Sequence, residues 1–265
     1  MDAGIKLRMS RLFNADTGKS VIIAIDHGIE GVPKGLEDPM AKTEELLQSG
    51  IDALLLNPGL FRRVCKFWKR RNDPGVILAA DYFISTTVPG RKAEAEEYRK
   101  ILEIEDAIQL GADAIKMILV FGQRDLKLYA YNLEIVAAAI QKAHRCFGLP
   151  VMLETVLWGI TSTKEELGSI QVLRDMMRIA VELGADILKL PSLGTYEEMA
   201  QMIQWSPVPV TVLGGQTHPD FKCVIEGVKK TIKAGACGIV FGRNVWQRDD
   251  LKEAVKALQI AVHSS

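Results

Sequence analysis

The 265 residues predict a single (β/α)8 barrel spanning residues 1–265, and chain length is the first observation behind this prediction. Such barrels commonly take about 250 residues as one domain, and no Gly-, Pro- or Ser-rich linker divides the chain. Second, short apolar runs alternate with longer segments of helical periodicity, such as Asp125–Phe147 and Lys164–Leu183. The runs are apolar throughout, as in parallel strands that helices cover. The eight runs are Val21–Asp26, Ala53–Asn57, Val76–Asp81, Ala114–Phe121, Val151–Val156, Ile187–Leu190, Val210–Leu213 and Gly238–Phe241. A doubly wound parallel sheet is the alternative fold.

A third observation is a short motif that recurs before every second predicted strand. Its four copies are Ser49-Gly50-Ile51-Asp52, Leu110-Gly111-Ala112-Asp113, Leu183-Gly184-Ala185-Asp186 and Ala234-Gly235-Ala236-Cys237. Such a repeat is expected of a barrel built from βαβα quarters. Each glycine is predicted to end a helix in the left-handed conformation. Alignment of the copies places the following residues at one height in the barrel: Leu55, Lys116, Lys189 and Val240.

The charge balance gives no reason to expect a nucleic-acid or membrane partner. Lysine plus arginine and aspartate plus glutamate number 33 each, so the formal net charge is zero. In the one basic run, apolar Val64, Phe67 and Trp68 are interleaved with cations. This spacing predicts the solvated face of an amphipathic helix rather than an RNA-binding patch. The cations of the run are Arg62, Arg63, Lys66, Lys69, Arg70 and Arg71.

The cysteines and histidines do not have the spacing of metal ligands. They are Cys65, Cys146, Cys223, Cys237, His27, His144, His218 and His263. We therefore expect no metal and no cofactor, and we expect the thiols to be reduced. The sequence has no apolar run long enough for a transmembrane helix and no signal-peptide pattern at its start. A cytoplasmic location is the resulting expectation.

Four charged residues lie within or at the end of predicted strands whose other residues are apolar. Lys116 and Lys189 interrupt the fourth and sixth strands, Glu154 lies in the fifth, and Asp26 ends the first. The alternation of side chains along a strand places all four on the inner face. Burying an unpaired charge is costly, and catalytic residues of barrels come from the carboxyl ends of several strands. The four charges therefore predict an active site. The alternative is a structural salt-bridge cluster of Lys116, Glu154 and Lys189.

Two lysines beside a carboxylate favour imine chemistry on a carbonyl group. A nucleophilic lysine must be a neutral amine, and a nearby cation together with partial desolvation lowers the pKa of such a group. Glu154 is then placed to move protons between the amine, the carbinolamine and a substrate hydroxyl. The residue types leave open which of Lys116 and Lys189 is the nucleophile. They also leave open whether His27 lines the site or points into the barrel wall.

Glycines follow the last two predicted strands and indicate a phosphate site. Gly214 and Gly215 follow the seventh strand, and Gly242 and Arg243 follow the eighth. Phosphate sites of barrels lie after these two strands. Glycines expose backbone N–H groups to an anion, and an arginine adds a bidentate contact.

Four stretches of the chain resemble the class I, Schiff-base-forming aldolases of the deoxyribose-phosphate aldolase superfamily. They are Ala24-Ile25-Asp26-His27-Gly28, Gly184-Ala185-Asp186-Ile187-Leu188-Lys189, Leu213-Gly214-Gly215 and Gly242-Arg243-Asn244-Val245-Trp246-Gln247. The similarity extends to archaeal-type fructose-bisphosphate aldolase and tagatose-bisphosphate aldolase. It implies that Lys189 forms the imine, that Asp26 assists, and that the glycines with Arg243 hold phosphate. It also implies a homo-oligomer and a small phosphorylated sugar as substrate.

One position departs from the archaeal-type fructose-bisphosphate aldolases, which have a proton-donating tyrosine near the end of the fifth strand. Alignment through Pro150 puts Val156 there. The pair of Glu154 and Lys116 instead resembles the tagatose-bisphosphate and sulfosugar-phosphate aldolases. The expected function is a metal-independent class I aldolase. The alternatives are a transferase that uses the same imine, like heptulosonate synthases or autoinducer-2 thiolases, and a catalytically silent sugar-phosphate-binding barrel.

Overall fold

Parallel strands close into a barrel in the computed structural model, which describes residues 2–70, 72–89, 91 and 93–264. The barrel strands are β1 (Ser20–Ala24), β2 (Ala53–Leu56), β3 (Gly75–Ala79), β6 (Ala114–Val120), β7 (Val151–Val156), β8 (Ile187–Leu190), β9 (Val210–Leu213) and β10 (Gly238–Phe241). Their order around the barrel is β1, β10, β9, β8, β7, β6, β3 and β2. Because β1 pairs with both β2 and β10, the sheet has no edge. The predicted (β/α)8 barrel is confirmed, and the doubly wound alternative is wrong.

Several strands end before the predicted position. β1 ends at Ala24 because Ile25 turns the chain (φ −123°, ψ 22°), so Asp26–Glu30 forms a short 3₁₀ helix rather than continuing the strand. β2 and β6 each end one residue early, at Leu56 and Val120. These differences are within the usual uncertainty of element ends, but the first one moves Asp26 from the strand onto the rim of the barrel.

An antiparallel hairpin that the sequence did not predict follows β3. It consists of β4 (Asp81–Ile84) and β5 (Glu97–Lys100). Asp81, predicted to end a barrel strand, instead pairs with Lys100 in this hairpin. Because β4 lies against β6, the hairpin stands at the carboxyl end of the barrel.

Helices surround the barrel. They are α1 (Ala3–Leu12), α2 (Pro39–Leu47), α3 (Pro58–Val64), α4 (Ile104–Gln109), α5 (Leu126–Lys142), α6 (Lys164–Leu167), α7 (Ile170–Leu183), α8 (Tyr196–Gln204), α9 (Phe221–Lys233), α10 (Arg243–Trp246) and α11 (Leu251–His263). In the part of the chain that the structure describes, none of them is long and apolar enough to span a membrane.

The predicted helical segment at 164–183 is divided in two. Ser169 accepts a hydrogen bond from the backbone N–H of Val172 and so caps a new helix, α7, while α6 ends before Gly168. The segment at 125–147 is helical as predicted. It begins at the cap Asp125 and ends in a wider turn, Ala143–Phe147.

The basic run forms only part of the predicted helix. Arg62 and Arg63 are exposed on α3 while Val64 is buried, as an amphipathic helix requires. The helix then changes into a 3₁₀ turn, Cys65–Phe67, and the chain continues without helix to Arg70. Arg71 lies outside the described residues. Cys237, the last residue of the fourth copy of the motif, lies directly before β10.

The glycines of the repeated motif have the predicted left-handed conformation. Gly50, Gly111, Gly184 and Gly235 have φ values of 89°, 81°, 100° and 104°. Only glycine takes such angles without steric cost. The motif therefore ends the helix and returns the chain to the amino-terminal end of the barrel at four places.

The barrel interior is apolar at its amino-terminal half and charged at its carboxyl half. A separate internal cluster contains Leu12, Ile22, Ala24, Ala53, Leu55, Ile77, Ala79, Ala114, Met152, Ile187 and Val240. Lys116, Glu154 and Lys189 follow Ala114, Met152 and Ile187 by two residues, so they point inward above this cluster.

The two interior lysines lie at the same height, as the repeat predicted. Lys116 pairs with Met152 across the β6–β7 ladder, and Lys189 pairs with Glu154 across the β7–β8 ladder. Residues at one height advance by about one position per strand in an eight-stranded barrel of this shear. The offset of two positions over two strands therefore brings both ammonium groups to one layer.

Candidate active site

A cavity of about 310 Å³ opens at the carboxyl ends of the barrel strands. All of the residues that the sequence assigned to the site line it. They are Asp26, Lys116, Glu154, Lys189, Gly214, Gly215, Gly242 and Arg243. The cavity has the position at which barrels carry their active sites.

The four charged residues form one continuous ion cluster, Asp26–Lys116–Glu154–Lys189. Lys116 Nζ lies 3.2 Å from Asp26 Oδ2 and 3.6 Å from Glu154 Oε2. Lys189 Nζ lies 2.8 Å from the same Glu154 oxygen. The side chains of the two lysines are 4% and 8% exposed, so the cluster is shielded from bulk water.

Neighbouring charges fix the protonation states of Lys116 and Asp26. Burial disfavours the charge of Lys116, but the carboxylates of Asp26, Glu154 and Asp81 outweigh burial and raise the pKa of the Lys116 ammonium above its ordinary value. Burial alone would also raise the pKa of Asp26, yet the charges of Lys116 and Lys189 lower it to about 2. Lys116 is thus a fixed cation and Asp26 a fixed anion at neutral pH.

His27 lines the cavity and does not point into the barrel wall. Its ring meets the Trp246 ring edge to face, with centroids 5.5 Å apart. Nδ1 lies 3.5 Å from Asp26 Oδ1, and burial lowers the pKa of His27 below its ordinary value. Trp246 is itself anchored, because its Nε1–H donates a hydrogen bond of 2.9 Å to the Ala24 carbonyl.

Gly214, Gly215, Gly242 and Arg243 form one side of the cavity, here called the glycine side. A Cβ atom on Gly242 would lie 2.9 Å from the His27 ring, and one on Gly214 would lie 2.9 Å from the Phe241 ring. Glycine is therefore required at both positions. The guanidinium of Arg243 donates to the Gly215 carbonyl at 3.0 Å, while its buried Nε lacks a hydrogen-bond partner among the described residues. The glycine side therefore brings glycine backbone and a positively charged side chain together, and an anion-binding site requires both.

Asn244 holds the glycine side together, a role that the sequence did not indicate. Its amide donates to the carbonyls of Gly214 at 2.9 Å and Gln216 at 3.0 Å, and its Oδ1 accepts the His218 N–H at 2.9 Å. These contacts span 26 to 30 residues of sequence. No local pattern reveals them, although Asn244 belongs to one of the stretches that carried the family resemblance.

Comparison with known proteins identifies the family. Residues 20–248 match the model of the DeoC/LacD family of aldolases. The chain belongs to the DeoC/LacD aldolase family.

The sequence matches between this DeoC/LacD family member and its relatives cover nearly the whole chain. An uncharacterized aldolase of Saccharolobus solfataricus is 28% identical over 263 residues, which cover 99% of this chain and 95% of the relative. The 2-amino-3,7-dideoxy-D-threo-hept-6-ulosonate synthase 1 of Archaeoglobus fulgidus is 30% identical, with 99% and 92% covered.

An archaeal fructose 1,6-bisphosphate aldolase is among the solved structures that resemble this family member. It superposes with a TM-score of 0.82 at 27% identity, covering 98% of this chain and all of the other. A second archaeal structure has the catalytic lysine covalently bound to the carbinolamine intermediate. Its TM-score is 0.81 at 27% identity, with 98% and 99% covered.

Asp81 is a cavity residue of this DeoC/LacD aldolase that the sequence analysis missed. Its Oδ2 accepts hydrogen bonds of 2.7 Å from the Tyr98 hydroxyl and from the Ile118 N–H. Its Oδ1 is buried and has no hydrogen-bond partner among the described residues. Burial, with a smaller contribution from Glu154, raises the pKa of Asp81 to about 6 although Lys116 opposes the shift. One sequence feature indicates Asp81 as a site residue: like Asp26, it stands at the end of an apolar run.

Val156 lines the cavity at the end of β7, where the archaeal-type fructose-bisphosphate aldolases were expected to have a tyrosine. Within the described ranges, no three His, Cys, Asp or Glu side chains are grouped closely enough to hold a metal ion. The groups that line the cavity and can move protons include Glu154, Asp81 and His27.

Proposed function

We propose that this protein is a class I aldolase that cleaves or forms a C–C bond in a small phosphorylated ketose through a Schiff base on Lys189. The observation that carries the proposal is the unequal environment of the two lysines. Lys116 is bound between Asp26 and Glu154 and stays a cation. Lys189 contacts Glu154 alone within the ion cluster, so it is the amine available for attack.

The reaction begins with imine formation. The neutral amine of Lys189 attacks the substrate carbonyl carbon and forms a carbinolamine. Glu154, 2.8 Å from the lysine nitrogen, transfers protons between nitrogen and oxygen, so that the hydroxyl leaves as water. The product is an iminium ion on Lys189.

The C–C bond then breaks. Glu154 accepts the proton of the C4 hydroxyl, the C3–C4 bond cleaves, and its electron pair moves into the iminium to give an enamine. The aldehyde product leaves, the enamine is protonated at C3, and water hydrolyses the imine. Asp26, ionised at neutral pH, accepts hydrogen bonds from substrate hydroxyls. The proposal needs no metal, since the iminium accepts the electrons.

The glycine side holds the phosphate in this proposal. Gly214, Gly215 and Gly242 line the cavity beside Arg243, which supplies a positive charge. Lys189 is on β8, directly beside β9, so a bound phosphate and the imine carbon are neighbours.

A transferase is the second candidate, because one relative at 30% identity is named a heptulosonate synthase. Such an enzyme and an aldolase both begin with an imine on lysine. They differ in which acceptor the carbon unit reaches, and analysis of products with candidate acceptors separates them.

Hydrogen exchange tests the proposed function. Dihydroxyacetone phosphate is incubated with the protein in D₂O and excess EDTA, and proton NMR follows the hydrogens of its hydroxymethyl carbon. An enamine on Lys189 exchanges one of them for deuterium. A protein that only binds sugar phosphates leaves both in place. Exchange that EDTA abolishes and Zn²⁺ restores would contradict the Schiff-base reaction.

A further inference from the structure

One side of the cavity is apolar. Its lining comes from the end of β7, from α6 and α7, and from the loop after β8. The apolar side is defined by Val156, Trp158, Leu167, Leu173, Met176 and Leu193. The side adjoins the ion cluster, because Glu154 on β7 lies two residues before Val156.

The apolar side and the glycine side flank Lys189. Around the barrel, β10 and β9 carry the glycines, β8 carries Lys189, and β7 leads into the apolar side. A ketose bound to Lys189 with its phosphate on the glycine side therefore directs its other end toward β7. That end becomes the aldehyde when the C–C bond breaks.

The charges of the cavity do not favour a second phosphate at the apolar side. Among the described residues, the cations that line the cavity are Lys116, Lys189 and Arg243. The two lysines belong to the ion cluster, and Arg243 belongs to the glycine side, next to His27. The apolar side instead borders Glu166. The N–H and hydroxyl of Thr163 donate to its Oε2 at 2.8 and 2.9 Å and lower the pKa of Glu166, so it stays an anion.

The apolar side continues from the base of the cavity to its mouth. Leu173 and Met176 are 1% and 5% exposed at the base, whereas Trp158 and Leu167 at the mouth are 50% and 47% exposed. Large apolar side chains that remain exposed around a cavity indicate a surface that a ligand covers.

We infer that the aldehyde half of the substrate is apolar and carries no phosphate, so that the ketose is a monophosphate whose far end packs against Trp158 and Leu167. The inference rests on the proposed function. It narrows the substrate class to ketose monophosphates that yield an uncharged aldehyde with an aliphatic or aromatic group.

The test compares two acceptors in the condensation direction. The protein is given dihydroxyacetone phosphate with either 3-methylbutanal or glyceraldehyde 3-phosphate, and kcat/KM is measured for each. The apolar aldehyde is expected to be better by about tenfold or more, the effect of burying a branched side group. If donor exchange in D₂O occurs but the phosphorylated aldehyde is preferred, or the apolar one is not accepted, this inference is wrong while the aldolase proposal stands. If donor exchange is absent, the proposed function itself fails.

Matched variants locate the effect. Leu167→Lys adds a cation to the apolar side and is expected to shift the acceptor ratio toward the phosphorylated aldehyde by about tenfold. Ile160→Lys is the control, since Ile160 is 45% exposed but does not line this cavity. Trp158→Ala is expected to lower kcat/KM for 3-methylbutanal by about tenfold, whereas Trp205→Ala, equally exposed on another face, leaves it unchanged. Equal responses within either pair would overturn the inference.

Discussion

The two ends of the barrel hold carboxylates in different ways. At the amino-terminal end, the aspartates of the repeated motif accept hydrogen bonds from neighbouring strands. Asp52, Asp113 and Asp186 bind the N–H groups of Val21, Val76 and Val151 at 2.7, 2.9 and 2.8 Å. Each also has a cationic or imidazole partner: His263 at 3.0 Å, Arg11 at 2.7 Å and His144 at 2.7 Å.

At the carboxyl end, the carboxylates face amines and a cavity instead. Asp26 and Glu154 contact lysine nitrogens, and Asp81 keeps one oxygen without a partner among the described residues. A carboxylate that joins two strands is satisfied by the fold alone, and it contributes to stability. A carboxylate that the fold leaves incompletely satisfied beside an open cavity is available to a substrate. The comparison predicts that mutations at the two ends have opposite consequences.

Among substitutions of the carboxylates at the two ends, Glu154→Gln is expected to have the largest effect on activity. It removes the proton-transfer group of the carboxyl end, and cleavage should fall by roughly 10²–10⁴-fold, the usual contribution of a positioned acid or base. Imine formation should still be detectable by borohydride trapping, and the melting temperature should change little. The structural-cluster alternative gives the reverse result, with normal turnover and a large loss of melting temperature.

Asp81→Asn tests the unusual carboxyl group of the same end through pH. In the folded protein Asp81 keeps its proton up to about pH 6, whereas in the unfolded chain it loses the proton near 3.8. Between these values the unfolded chain binds fewer protons, so wild-type stability falls as pH rises. The variant lacks this loss. Its stability relative to wild type should therefore increase from pH 4 to pH 7, by on the order of 2–3 kcal/mol. A difference in urea unfolding free energy that is constant with pH would show that Asp81 titrates normally.

Asp186→Asn tests the amino-terminal end and is expected to have the smallest effect on catalysis. The amide keeps an acceptor oxygen but removes the negative charge that strengthens the hydrogen bond from the Val151 N–H and the contact with His144 Nε2. Unfolding free energy should fall by about 1–3 kcal/mol, while kcat and KM stay near wild type below the unfolding transition. A large loss of kcat with unchanged stability would show that the two ends do not differ as described.

The sequence predicts the barrel and most of the site because both depend on local patterns. A lysine within an apolar strand, such as Lys116 or Lys189, is conspicuous, and the repeat places the two at one height. What the sequence does not reveal depends on contacts between distant residues. The Asp81–Tyr98 hydrogen bond joins residues 17 positions apart in an unpredicted hairpin whose second strand, Glu97–Lys100, is mostly polar. Asn244 is similar, since its partners lie on another loop.

The identity of the covalent lysine is the most direct test of the account, because Lys116 and Lys189 lie in one layer and contact the same Glu154 oxygen. The protein is incubated with dihydroxyacetone phosphate and sodium borohydride, digested, and analysed by mass spectrometry. The account predicts that the reduced donor is attached to the peptide containing Lys189, and that Lys189→Met takes up no label and has no turnover. A label on Lys116 in the wild-type protein would contradict it.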